Sequence, residues 1–152
     1  MFNKLLVAIG GSNSSLIALD KAIKLGMMTK AEIHVLSVAP EAIMRIPTNI
    51  SKEDEELNED VYIITEKILD DADKKLESYP YKHSSLYKIG EPAREIIAYA
   101  EEIDADLIVM GNRDLGFFSR TILGSVSKKV IESSNISVLV AKEKDPEENE
   151  DA

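Results

Sequence analysis

Residues 106–127, DLIVMGNRDLGFFSRTILGSVS, bring together the groups in this chain best suited to holding an anion. Asp106 to Met110 is short and almost uniformly apolar, so it reads as a buried strand ended by Gly111. Gly116 and Gly124 give the backbone places where no Cβ would obstruct a ligand. After Gly124, Ser125-Val126-Ser127 can open a helical turn whose amides and dipole attract negative charge, with two hydroxyls as additional donors. A loop and helix start at the carboxyl end of a parallel strand is where open α/β sheets bind phosphates. The charge agrees. Residues 111–130 hold Arg113, Arg120, Lys128 and Lys129 against Asp114 alone, a local excess of +3 in a chain of net charge −10. Lys128 and Lys129 fit the exposed face of a helix equally well.

Other chemistry finds little support. Ser125-x-x-Lys128 matches a serine–lysine nucleophile spacing but lacks companion motifs. The loop holds no histidine and no carboxylate pair placed to activate water, so no catalytic residue is assigned and slow ATP hydrolysis would be incidental. With no cysteine and two isolated histidines, His34 and His83, no metal site is expected. The missing cysteines fit a reducing cytoplasm. No leader or membrane-spanning run is recognised, and no basic face with interleaved aromatics suggests nucleic acid.

The elements that must position the loop follow from periodicity. Lys4 to Ile9 is a buried strand stopped by Gly10-Gly11, and Ser12 or Asn13 can cap the next helix. That helix carries Leu16, Leu19, Ala22, Ile23 and Met27 as its stripe, with Met27 and Met28 read as core filler. Ala31 to Val38 is a second strand ended by Pro40, with His34 on packing or surface duty. A long connection to about Asn58 carries Pro47. A helix over about 59–78 has Val61, Ile64, Ile68, Leu69, Ala72 and Leu76 on one face, and Pro80 closes it. His83 to Ile89 alternates weakly, as an edge strand would. Gly90-Glu91-Pro92 turns into a helix with Ile96, Ile97, Ala100 and Ile103 on its buried stripe. A helix over about 123–134 and a strand over 136–141, ISVLVA, complete the pattern. Five strands alternating with four helices mean parallel βαβ units with right-handed crossovers, a single-domain Rossmann-like α/β fold.

Two runs account for the whole charge excess. Residues 51–60 and 143–152 each hold six acids and one lysine. They read as a solvated loop and a disordered tail, dividing the chain into a domain over 1–142 and an acidic tail over 143–152.

Several dispersed segments carry a family resemblance. LLVAIGGSNSSLIALDKA, GEPAREII, ADLIVMG, GSVSKKVI and SNISVLVA resemble, in order and spacing, segments of the universal stress protein family. The family's signature Gly-x2-Gly-x9-Gly-(Ser/Thr) falls on Gly111, Asp114, Gly124 and Ser125, so three of its four positions match. The resemblance implies an open parallel five-stranded sheet of order 3-2-1-4-5, dimeric through the fifth strand. It also implies ATP or a related adenine nucleotide, with Mg²⁺ as a possible companion, between the first and fourth strand ends. Carried over by position, Ala8, Ile9, Gly10 and Val38 would meet the adenine. Met110, Gly111, Arg113, Asp114, Gly124, Ser125, Val126 and Ser127 would surround the ribose and phosphates.

Two positions depart from the family pattern. Gly10 stands where the family's Val-Asp-Gly-Ser has aspartate, which removes a side-chain acceptor. Asp114 replaces a glycine beside the phosphates, where two unit charges about 4 Å apart at an effective dielectric of about 20 repel by about 4 kcal/mol. Arg113 or Mg²⁺ would offset that repulsion. Two functions stay open on these residues: a dimeric stress-response module that binds an adenine nucleotide, and a stress protein of the same fold that works through protein contacts.

Overall fold

The computed structural model describes residues 1–10, 13–40, 52–112 and 124–143. Strands β1 (Lys4–Ile9), β2 (Glu32–Pro40), β3 (His83–Gly90), β4 (Leu107–Gly111) and β5 (Ser137–Ala141) alternate with helices α1 (Asn13–Thr29), α2 (Lys52–Leu76), α3 (Pro92–Glu102) and α4 (Ser125–Ser133). The strands form one sheet in the order β3-β2-β1-β4-β5, and every adjacent pair is parallel. This is the expected order. β1 sits in the middle because all of KLLVAI except Lys4 is buried, as a strand covered on both faces requires.

Alternation along the strands divides the core in two. Leu5, Val7, Ile9, Ile33, Val35 and Val109 face α1 and α2, where Leu19, Ala72 and Leu76 pack on them. Leu6, Ala8, Leu36, Val38, Ile108 and Met110 face α3 and α4, against Ile96, Ala100 and Val130. Among the described residues no helix is long and apolar enough to cross a membrane.

Several expectations are corrected. The acidic run is not a loop over its described part: α2 begins at Lys52, so residues 52–60 are helical. Glu, Lys and Leu are good helix formers, and acids near a helix start meet the positive end of its dipole. β2 runs on through Pro40, whose partner is Gly90, and Gly111 is the last residue of β4 rather than a break after it. Met27 and Met28 are 50% and 83% exposed instead of filling the core. The face of α1 that meets the sheet is made instead of Ser14, Ser15, Ala18, Leu19, Ala22 and Gly26, mostly small residues that let the helix lie close. Ile64 is 56% exposed, and its neighbour Thr65 is buried in its place. Ser12, Pro47, Gly116, Arg120 and the tail beyond Glu143 lie outside the described residues.

Candidate functional site

β1 has β2 on one side and β4 on the other, so the strand order reverses at β1 and its carboxyl end opens a crevice. Leu5, Leu6 and Val7 pair with Leu107, Ile108 and Val109, which brings the following residues, Ala8 to Gly10 and Met110 to Asn112, to the same end of the sheet. α4 starts there as well. Gly124 is its N-cap, extended at φ −68° and ψ 160°, with no side-chain capping bond. The Lys128 amide makes the first intrahelical bond, to the Gly124 carbonyl at 3.0 Å. The helix ladder therefore begins at Lys128 and does not use the amides before it.

Of the expected contact residues, Ala8, Val38, Met110 and Val126 gather in one apolar cluster beneath the crevice, whereas Ile9 turns to the opposite face with α1. Gly10, Ser125 and Val126 carry exposed surface, and Gly111, Gly124 and Ser127 are buried. Arg113 and Asp114 lie outside the described residues. The Gly10 carbonyl accepts the Ser15 hydroxyl at 2.9 Å, which fixes the end of β1 to the first turn of α1.

Two motif residues have other work. A Cβ on Gly111 would collide with the Ser14 hydroxyl and come within 2.7 Å of the Ser14 carbonyl carbon. The missing side chain thus lets α1 approach β4, a packing role where a ligand-facing one is expected. Ser127 is likewise not a spare donor, because its buried hydroxyl donates to the Gly111 carbonyl at 2.7 Å and ties α4 to β4. Lys129 is matched by Glu91, 3.4 Å away, so the local positive excess is smaller than the sequence suggests. Partial burial raises the Glu91 carboxyl, but the Arg94 amide and the Lys129 ammonium together hold it below its ordinary range.

Sequence reasoning missed Asn112. Its amide donates to the Ala141 carbonyl at 3.1 Å and its carbonyl accepts the Gly124 amide at 2.6 Å. Its side-chain oxygen accepts the Glu143 amide at 3.1 Å. One buried residue thereby joins β4, the start of α4 and the end of β5. A polar residue directly after a buried strand is the only sequence signal for it.

A parallel doubly wound sheet, with a glycine-capped helix at its switch point, places this molecule among the open-sheet α/β proteins. The chain belongs to the universal stress protein family, whose model matches residues 1–142. It is 38% identical over 151 residues to universal stress protein YxiE of Bacillus subtilis, covering 93% of this chain and 100% of that one. The structure of MJ0577 from Methanocaldococcus jannaschii superposes with a TM-score of 0.83 at 28% identity, covering 95% and 99% of the two chains. A universal stress protein from Archaeoglobus fulgidus, solved in complex with dAMP, superposes with a TM-score of 0.67 at 22% identity, covering 93% and 100%.

Proposed function

We propose that this stress-family chain binds an adenine nucleotide in the reducing cytoplasm and acts as a dimeric regulatory module. The phosphates rest on the first turn of α4, and the base lies over the apolar cluster of Ala8, Val38 and Met110. The observation that carries this reading is the cap of α4. Gly124 is extended, and this glycine-capped start of α4 stands at the carboxyl end of β4, where open α/β sheets hold phosphates. The Archaeoglobus complex supports it only as a likeness of fold. Any Mg²⁺ would arrive with the phosphates, with Asp114, at the second glycine position of the family signature, as a carboxylate to help position it. The nucleotide is a ligand in this reading and not the substrate of a designed hydrolysis.

One observation favours the protein-contact reading instead. Gly111 and Ser127, two residues expected to meet the phosphates, are engaged in packing and in a buried hydrogen bond. A single experiment separates the two. The purified protein is denatured and its supernatant resolved by anion exchange, and the same preparation is tested for a thermal shift with Mg-ATP. Near-stoichiometric ATP, ADP or AMP supports nucleotide binding. An empty trace with no shift, reversed by Asp114→Gly, supports the protein-contact reading.

A further inference from the structure

A second group of chemically capable side chains lies at the opposite end of the sheet, where β2 and β3 begin. His34 and Ser84 are direct register partners, and Glu32 precedes His34 by two residues and so shares its face. The Ser84 hydroxyl is 2.8 Å from His34 Nδ1, and His34 Nε2 is 3.1 Å from Glu32 Oε2. The His34 side chain is 11% exposed and that of Glu32 33%. Ser84 is half-buried, so the residue keeps part of its surface exposed.

The proton positions follow from the partners. The hydrogen bond from His34 is the largest influence on the Glu32 carboxyl and, with Lys82 and Lys4 nearby, it holds the group below its ordinary range. Glu32 is therefore a carboxylate and can only accept, which requires a proton on Nε2. In the neutral ring Nδ1 is then the acceptor, and the Ser84 hydroxyl donates to it. This is the order nucleophile, base, orienting carboxylate. The backbone adds a donor. The Ile33 amide bonds to the Lys82 carbonyl at 3.1 Å, so the parallel ladder turns the Ser84 amide toward β2 and the Ser85 amide toward the free edge of the sheet. Leu86, on the same face as Ser84 and packed against the second core cluster, offers an apolar wall.

We propose that Ser84 is a nucleophile toward small activated carboxylic esters, with His34 as its general base and Glu32 as the positioning residue. Ser84 Oγ bonds to the ester carbonyl carbon as its proton passes to His34 Nδ1. The carbon–oxygen bond to the alcohol then breaks with its electron pair, and the departing oxygen takes the proton from His34. The products are an O-acyl-serine and the free alcohol, and no oxidant or reductant is consumed.

The test is covalent labelling of the full chain with a small alkyl fluorophosphonate, read by intact mass and peptide mapping. One adduct per chain on Ser84 is expected, absent in Ser84→Ala and slowed about 100-fold in His34→Gln. Adding imidazole to His34→Gly should restore labelling, which a merely structural histidine would not allow. Glu32→Gln should lower the labelling rate at saturating probe and leave the half-saturating concentration unchanged. Absence of a Ser84 adduct on the folded wild-type chain would overturn the proposal, whether or not the variants fold. So would an unchanged rate in folded His34→Gln.

Discussion

The Ser127 hydroxyl and the Gly111 carbonyl form a buried pair that links α4 to the last residue of β4. Ser127→Ala removes the donor and leaves a buried carbonyl short of its partner, at a cost of about 1–3 kcal/mol. A lower urea midpoint with an unchanged slope is the expected result, and an unmoved midpoint would refute the role. Residue types and spacing made the helix start after Gly124 legible, and the helix does begin there, at Ser125. They could not reveal that Gly111 and Ser127 face inward. That depends on how closely α1 and α4 approach β4, a tertiary distance that no local pattern encodes. Asn112 escaped for a similar reason, since its partners Gly124, Ala141 and Glu143 come from separate parts of the chain.

Gly26 lies near the end of α1, where helix propensity alone argues that alanine would stabilise by about 1 kcal/mol. The structure reverses the sign. A Cβ at this position would run into the Tyr79 hydroxyl, which donates to the buried Ala31 carbonyl. Burial, and then the neighbouring Tyr81, raises the pKa of the Tyr79 phenol, so it stays a donor. Gly26→Ala should therefore destabilise by about 1–3 kcal/mol and lower the Tm. A raised Tm would show that Tyr79 moves aside freely. At this scale the sequence was read well where one apolar stripe faces one surface, as with Ile96 and Ala100 of α3, both buried as expected. It was read poorly where small residues make the contact. The stripe of α1 was placed on Leu16, Leu19, Ala22, Ile23 and Met27, of which Leu19 and Ala22 are buried, whereas close packing on the sheet also selects Ser14, Ser15, Ala18 and Gly26. In α2 the acidic start masked a helix, because charge was taken as the mark of a loop.

The two edges of the sheet differ in character. β3 carries Lys88, which reaches toward Glu102 and the Tyr99 ring, and Ser85, bonded to Asp73. β5 is SVLVA, with Val138, Leu139 and Val140 half-buried and no charge within it. An apolar, uncharged edge is a surface that a second copy would cover, so a dimer through β5 is expected in solution. Light scattering at micromolar concentration checks this, and a monomeric mass would reject it. The position of β1 has a consequence for how the chain is made. The amides of Asn3, just before it, and of its first residue Lys4 bond to the carboxylate of Asp106, 103 and 102 residues further along. At a synthesis rate of about 5–20 residues per second, roughly 5–20 s separate the emergence of β1 from that of its second neighbour. β2 can pair with it, and β3 with β2, during that interval, while the other edge of this central strand waits for β4. A ribosome stalled before β4 would hold a three-stranded sheet with that edge bare, the state of this chain most open to chaperone capture.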